Sequence, residues 1–130
     1  MVFFDASALI AYLGGDEDVV EFVEARADER TVTIPLVYFE VYQGEVFKPS
    51  ETDFDELDRR LSWLTVLDTD QTTARRAAEI QHRLHETGNA LAPRDAFVAG
   101  GATAANEELA HRDGDFDSDA VRELVDVVEV

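Results

Sequence analysis

The sequence predicts an α/β fold in which a short, mostly parallel central sheet is flanked by helices on both faces. Short β-branched or aromatic runs recur along the chain, and segments of helical periodicity separate them. No linker, repeat or low-complexity tract divides residues 1–130, so they form a single domain, and a 45% hydrophobic content supplies a core and excludes wholesale disorder. Strands joined by helical crossovers pair in parallel, and such sheets hold their ligand chemistry at the carboxyl ends of the strands.

Each element has its own signal. Residues 1–4 are an apolar strand ending at Asp5. Residues 6–13 read as a short helix stopped by Gly14 and Gly15, and 17–29 as a second, with Val19, Val23 and Ala27 on one face. Residues 31–34 are β-branched and form a strand, after which Pro35 opens a helix over 36–47. That helix is apolar around most of its circumference and is expected to be largely buried. Phe54, Leu57, Leu61 and Leu64 mark an amphipathic helix, and 65–67 a third strand. Thr69 or Asp70 caps the next helix, whose stripe is Thr73, Ala77, Ile80 and Leu84 and which ends at Gly88 and Asn89. Asp95 opens a small-residue helix to about Ala105; 108–112 is a short strand and 126–130 a final one.

Charge narrows the function. Eleven Lys and Arg against 29 Asp and Glu give a net charge of −18, which excludes a simple basic nucleic-acid sleeve or a binder of anionic membranes. Ten of the eleven basic residues are Arg, with Lys48 the exception. An acidic, lysine-poor surface fits a halophilic protein, because at about 1 M salt the screening length falls to roughly 3 Å. An acidic surface for a basic partner is the alternative. The absence of cysteine excludes disulfides and thiolate metal sites. The uncharged stretches are too short to span a bilayer and no basic signal region precedes residues 2–4, so a soluble, cytoplasmic protein with no membrane association is expected.

In so acidic a chain, the informative carboxylates are those in apolar company. Asp5 lies between Phe3-Phe4 and the run 6–13, Glu40 lies between Val37-Tyr38-Phe39 and Val41-Tyr42, and Asp95 precedes the uncharged run 96–106. Ionised acids are seldom buried unless paired or bound to a metal, and several converging without a local Lys or Arg need a cation. Simpler roles exist for each: Asp5 and Asp95 as helix caps, Glu40 as the partner of Arg94.

Four pieces then occur in order: Phe3-Phe4-Asp5-Ala6-Ser7-Ala8-Leu9, Glu40 in the helix after the second strand, Arg94-Asp95-Ala96-Phe97-Val98-Ala99, and Arg112-Asp113-Gly114-Asp115-Phe116. The set resembles the PIN-domain ribonucleases, most closely the single-domain VapC-type toxins of toxin–antitoxin pairs. The resemblance implies a PIN-like three-layer α/β/α domain whose acidic metal site is Asp5, Glu40, Asp95 and Asp113, with Asp115 as a fifth acid and Ser7 as a polar support. It also implies RNA as substrate with a 5′-phosphate product, an antitoxin partner that inserts a segment near the site, and a homodimer formed through helices of the N-terminal half. The chain departs from the family where its usual apolar strand is replaced by the thin Glu107-Glu108-Leu109-Ala110-His111.

The chemistry suits the residues. Phosphodiester hydrolysis needs a nucleophilic hydroxide, neutralised non-bridging oxygens and a stabilised leaving oxygen, all within reach of Mg²⁺ or Mn²⁺. These ions prefer hard oxygen ligands from a few carboxylates. Asp5, Glu40 and Asp95 are expected to hold the principal ion, and Asp113 a second ion or the attacking water. A catalytically idle PIN-like module that binds protein or RNA, and a DNA-directed nuclease, are the competing readings.

Other motifs lead nowhere firm. The acidic run from Asp113 to Asp119 fails as a calcium loop, with Ser118 at its sixth position and Leu124 at its twelfth. His82 and His85 are one helical turn apart but lack a third ligand, and His111 has no assigned role. Arg75, Arg76, Arg94 and Arg112 are candidates for holding an RNA backbone or for ordinary salt bridges, and Gly100-Gly101 for a close backbone approach or for helix packing.

Overall fold

The computed structural model describes residues 1–112 and 114–130. Its strands are β1 (Val2–Phe4), β2 (Thr31–Thr33), β3 (Thr65–Val66), β4 (Glu108–His111) and β5 (Val127–Glu129), in the spatial order β3-β2-β1-β4-β5. Every pairing is parallel, with Phe3 opposite Val32 on one side and Leu109 on the other. The expected mostly parallel sheet is therefore parallel throughout. The thin strand before Arg112 lies beside the central strand, with Leu109, Ala110 and His111 buried.

The helices are α1 (Ala6–Leu13), α2 (Glu17–Glu24), α3 (Pro35–Phe47), α4 (Phe54–Arg60), α5 (Gln71–Glu86), α6 (Pro93–Ala105) and α7 (Asp119–Leu124). Side-chain caps start α2, α4, α5 and α7: Asp16, Asp53, Asp70 and Ser118 each accept a backbone N–H of the first turn. The stripe Thr73, Ala77, Ile80 and Leu84 of α5 is buried as expected. The core spans both sheet faces, with Phe3, Phe4, Leu9, Leu109 and Phe116 among its fully enclosed side chains.

Several expectations are corrected. The second helix stops at Glu24 instead of continuing to residue 29; residues 26, 27 and 29 bond three residues back, tightening the chain toward β2 and leaving Ala27 exposed. The helix around Glu40 is less buried than its composition implies. Val37 and Val41 are enclosed, and α3 packs on α1 and α4, whereas Phe39 is 57% and Phe47 76% exposed. Helix α6 begins at Pro93, so Asp95 is its third residue and not its cap. Helix α7, absent from the sequence reading, is short and capped by Ser118.

Gly100 and Gly101 serve packing. A Cβ at Gly100 would stand 2.7 Å from the Ala77 nitrogen, so α5 and α6 touch backbone to backbone. A Cβ at Gly101 would stand 3.2 Å from the ring of Phe3, where α6 lies on the sheet.

Candidate functional site

Topology brings the acids together. In a parallel sheet each crossover leaves the carboxyl end of one strand and must return to the amino end of the next, so residues just after a strand lie at the carboxyl end, and so does the start of a helix that makes the return. Asp5 leaves β1, α3 leaves β2, and the first turn of α6, which leads into β4, lies at the same end. Residues distant in sequence thus share one rim.

Asp5 is fully buried and divides its two oxygens. Oδ2 caps α1, accepting the Ser7 Oγ–H at 2.9 Å and the Ser7 N–H at 3.4 Å. Oδ1 accepts from Arg94 Nη2 at 3.0 Å. The cap thus uses one oxygen, and the other is left to face Arg94.

Arg94 organises the remainder. Its Nε and Nη2 donate to the two carboxylate oxygens of Glu40, in the middle of α3, and its Nη1 donates to Asp95. Fork-on-carboxylate pairing is the strong form of such contacts. Burial works against the charge of the guanidinium, but its hydrogen bonds to Glu40 and the charge and hydrogen bond of Asp5 outweigh it, and the Arg94 pKa is raised above its ordinary value. Asp95 stands in the first turn of α6, where unpaired N–H groups favour an anion.

The structure therefore gathers Asp5, Glu40 and Asp95. It differs from the sequence reading in one respect: the cation among them is supplied by the chain itself. Among the described residues, no three Asp, Glu or His side chains form a group that could hold a metal ion in this arrangement. The donor set nevertheless fits a hard divalent ion, since three carboxylates from separate elements already converge on one positive centre. Asp113 lies outside the described residues. Asp115 is exposed in the turn that follows.

Ser7 ties the two sides of the rim. Its Oγ, which donates to Asp5, also accepts the backbone N–H of Arg112 at 3.0 Å, fixing the end of β4 against the start of α1. The sequence placed Ser7 near Asp5 but gave no sign of the Arg112 contact. Arg112 itself is committed elsewhere, with Nη2 on Asp16 at 2.8 Å and Nη1 on the Val130 carbonyl. Arg75 pairs with Glu79 on the exposed face of α5. His82 is exposed beside Glu86 and His85 is exposed on the same helix, whereas His111 is enclosed, its ring edge-on to Phe116 at 5.6 Å.

The model of the PIN domain matches residues 2–120. No curated protein matches the chain in sequence. Among solved structures, it superposes on VapBC2 from Rickettsia felis bound to a promoter DNA fragment, with a TM-score of 0.83 and 19% identity over 99% of this chain and 98% of that one. DNA-bound VapBC from Salmonella typhimurium gives 0.82 and 18% over 98% and 96%. FitAcB from Neisseria gonorrhoeae gives 0.80 and 21% over 98% and 96%. The family match begins at β1 and reaches α7, and the fold agrees along nearly the full length: the chain belongs to the PIN domain family.

Proposed function

We propose that this PIN domain is a Mg²⁺- or Mn²⁺-dependent endoribonuclease and the toxin of a type II toxin–antitoxin pair. One observation carries the reading: Asp5, Glu40 and Asp95, from three separate elements, converge at the carboxyl rim of the sheet around a cation. In the proposed site these three hold the ion, and Asp113, next after Arg112, is the fourth acid. A divalent ion bound there supplies charge to the non-bridging phosphate oxygens and acidifies the attacking water. Ser7 fixes the orientation of Asp5, and the N-terminus of α6 steadies the Asp95 charge.

The solved structures that share this fold include toxin–antitoxin complexes, which supports an antitoxin partner, with the two acting together in the cytoplasm. Homodimerisation belongs to the same reading. Among the described residues no helix is long and apolar enough to cross a membrane.

Cleavage of labelled RNA and DNA, with and without Mg²⁺ or Mn²⁺ in high-salt buffer, tests the proposal. RNA cutting that needs the ion and disappears in Asp5→Asn and Asp95→Asn is expected. DNA cutting alone makes the protein a DNA-directed nuclease, and RNA binding with no cutting of either makes it an idle module.

A further inference from the structure

Given the reading of Asp5, Glu40 and Asp95 as metal ligands, on which this step rests, we infer that metal loading is an exchange reaction: Arg94 occupies the site as a resident cation, and a divalent ion binds by displacing it. All three guanidinium nitrogens are spent on these carboxylates, and the hydrogen bonds of Arg94 among the described residues go nowhere else. With the guanidinium between them the acids do not form a metal-sized cluster, so an ion takes its ligands only as Arg94 gives them up.

Two features make departure feasible. Arg94 is 31% exposed at its side chain and sits at the second position of α6, so its stem can rotate toward solvent without unwinding the helix. Arg112 shows the contrasting arrangement, its guanidinium anchored on a backbone carbonyl as well as on a carboxylate. Charge favours the exchange: three carboxylates facing one guanidinium leave the centre anionic, and a divalent ion neutralises more of it. Once released at the rim, the guanidinium is a ready donor for a phosphodiester oxygen.

Mn²⁺ binding by calorimetry in high salt, compared between wild type and Arg94→Gln, tests the exchange, with Asp5→Asn made in both backgrounds. Removing the competitor is expected to tighten Mn²⁺ binding at least about tenfold and to lower the melting temperature of the metal-free protein, with both binding isotherms abolished by Asp5→Asn. Equal or weaker Asp5-dependent binding in Arg94→Gln overturns the exchange and leaves the metal-site reading standing. Binding that ignores Asp5→Asn, or no binding in either protein, overturns both. The wild type gives a second readout should Arg94→Gln fold poorly. The Arg94 Nε–H resonance, protected without metal, is expected to lose protection on saturation with Mg²⁺, and persistent protection overturns the exchange.

Discussion

Gly100 and Ala77 meet at a distance that admits no side chain on the glycine, since a Cβ there would fall 2.7 Å from the Ala77 nitrogen and 2.8 Å from its Cα. Gly100→Ala is expected to cost about 1–3 kcal/mol, the range for overpacking a close contact. Ala77→Gly is expected not to rescue it, because the clash is with backbone atoms. Chemical denaturation of the single and double variants checks both statements, and full rescue would show that the two helices slide apart instead.

Ser7→Ala removes one donor to Asp5 and one acceptor for the Arg112 N–H. Stability is expected to fall by about 1–2 kcal/mol, with the orphaned Arg112 N–H contributing most. Supports of metal ligands commonly matter 10–100-fold, so if the proposed function holds, metal-dependent RNA cleavage is expected to drop by about tenfold or more. Unchanged activity at reduced stability would limit Ser7 to a structural role.

Tyr38 and Tyr42 both donate to Asp58 Oδ1, at 2.9 and 2.6 Å, and so bind α3 to α4. Burial followed by the Asp58 hydrogen bond raises the Tyr38 pKa, and the Asp58 hydrogen bond followed by burial raises that of Tyr42. With folded values above the unfolded value near 10, the pair contributes stability that is complete below that pH and is lost as pH climbs beyond it. Alkaline denaturation curves are expected to fall more steeply above pH 10 for wild type than for Tyr38→Phe/Tyr42→Phe. Parallel curves would show that the phenols titrate alike in both states.

A net charge of −18 is expected to make the fold depend on salt. Raising NaCl from 0.2 to 2 M should lift the melting temperature by about 5 °C or more, corresponding to 1–2 kcal/mol for a domain of this size. Sucrose serves as the uncharged control, and an equal rise in sucrose would remove electrostatic screening as the cause.

Much of the site was legible because burying charge is costly: acids amid apolar residues had to have a reason, and Asp5, Glu40 and Asp95 do converge. The position of Arg94 was less so. Sequence reading named it as a partner for Glu40 or for a nucleic-acid backbone, but a long flexible side chain can reach several faces, and its grip on three acids at once emerges only when the end of β1, α3 and the start of α6 meet. The exposure of Phe39 and Phe47 was hidden for a related reason, since apolar composition says that a helix can be buried and not which neighbours exist to bury it. Asp95 escaped its cap assignment because Pro93, with its φ already helical, starts α6 two residues earlier. The α7 turn was missed although Ser118 ahead of Val121 and Val125 carried a readable signal.

The three acids lie far apart in sequence, after β1, within α3 and in the first turn of α6, and meet only when those elements share one rim of the sheet. During synthesis, a chain that has emerged only through Asp95 still lacks β4, which holds β1 from one side and positions Ser7 through Arg112. Assembly of the cluster is therefore expected to arrive late and all at once, when roughly the last quarter of the polypeptide docks. Hydrogen exchange at β1 and β4 should report the same global opening that dismantles the carboxylate cluster.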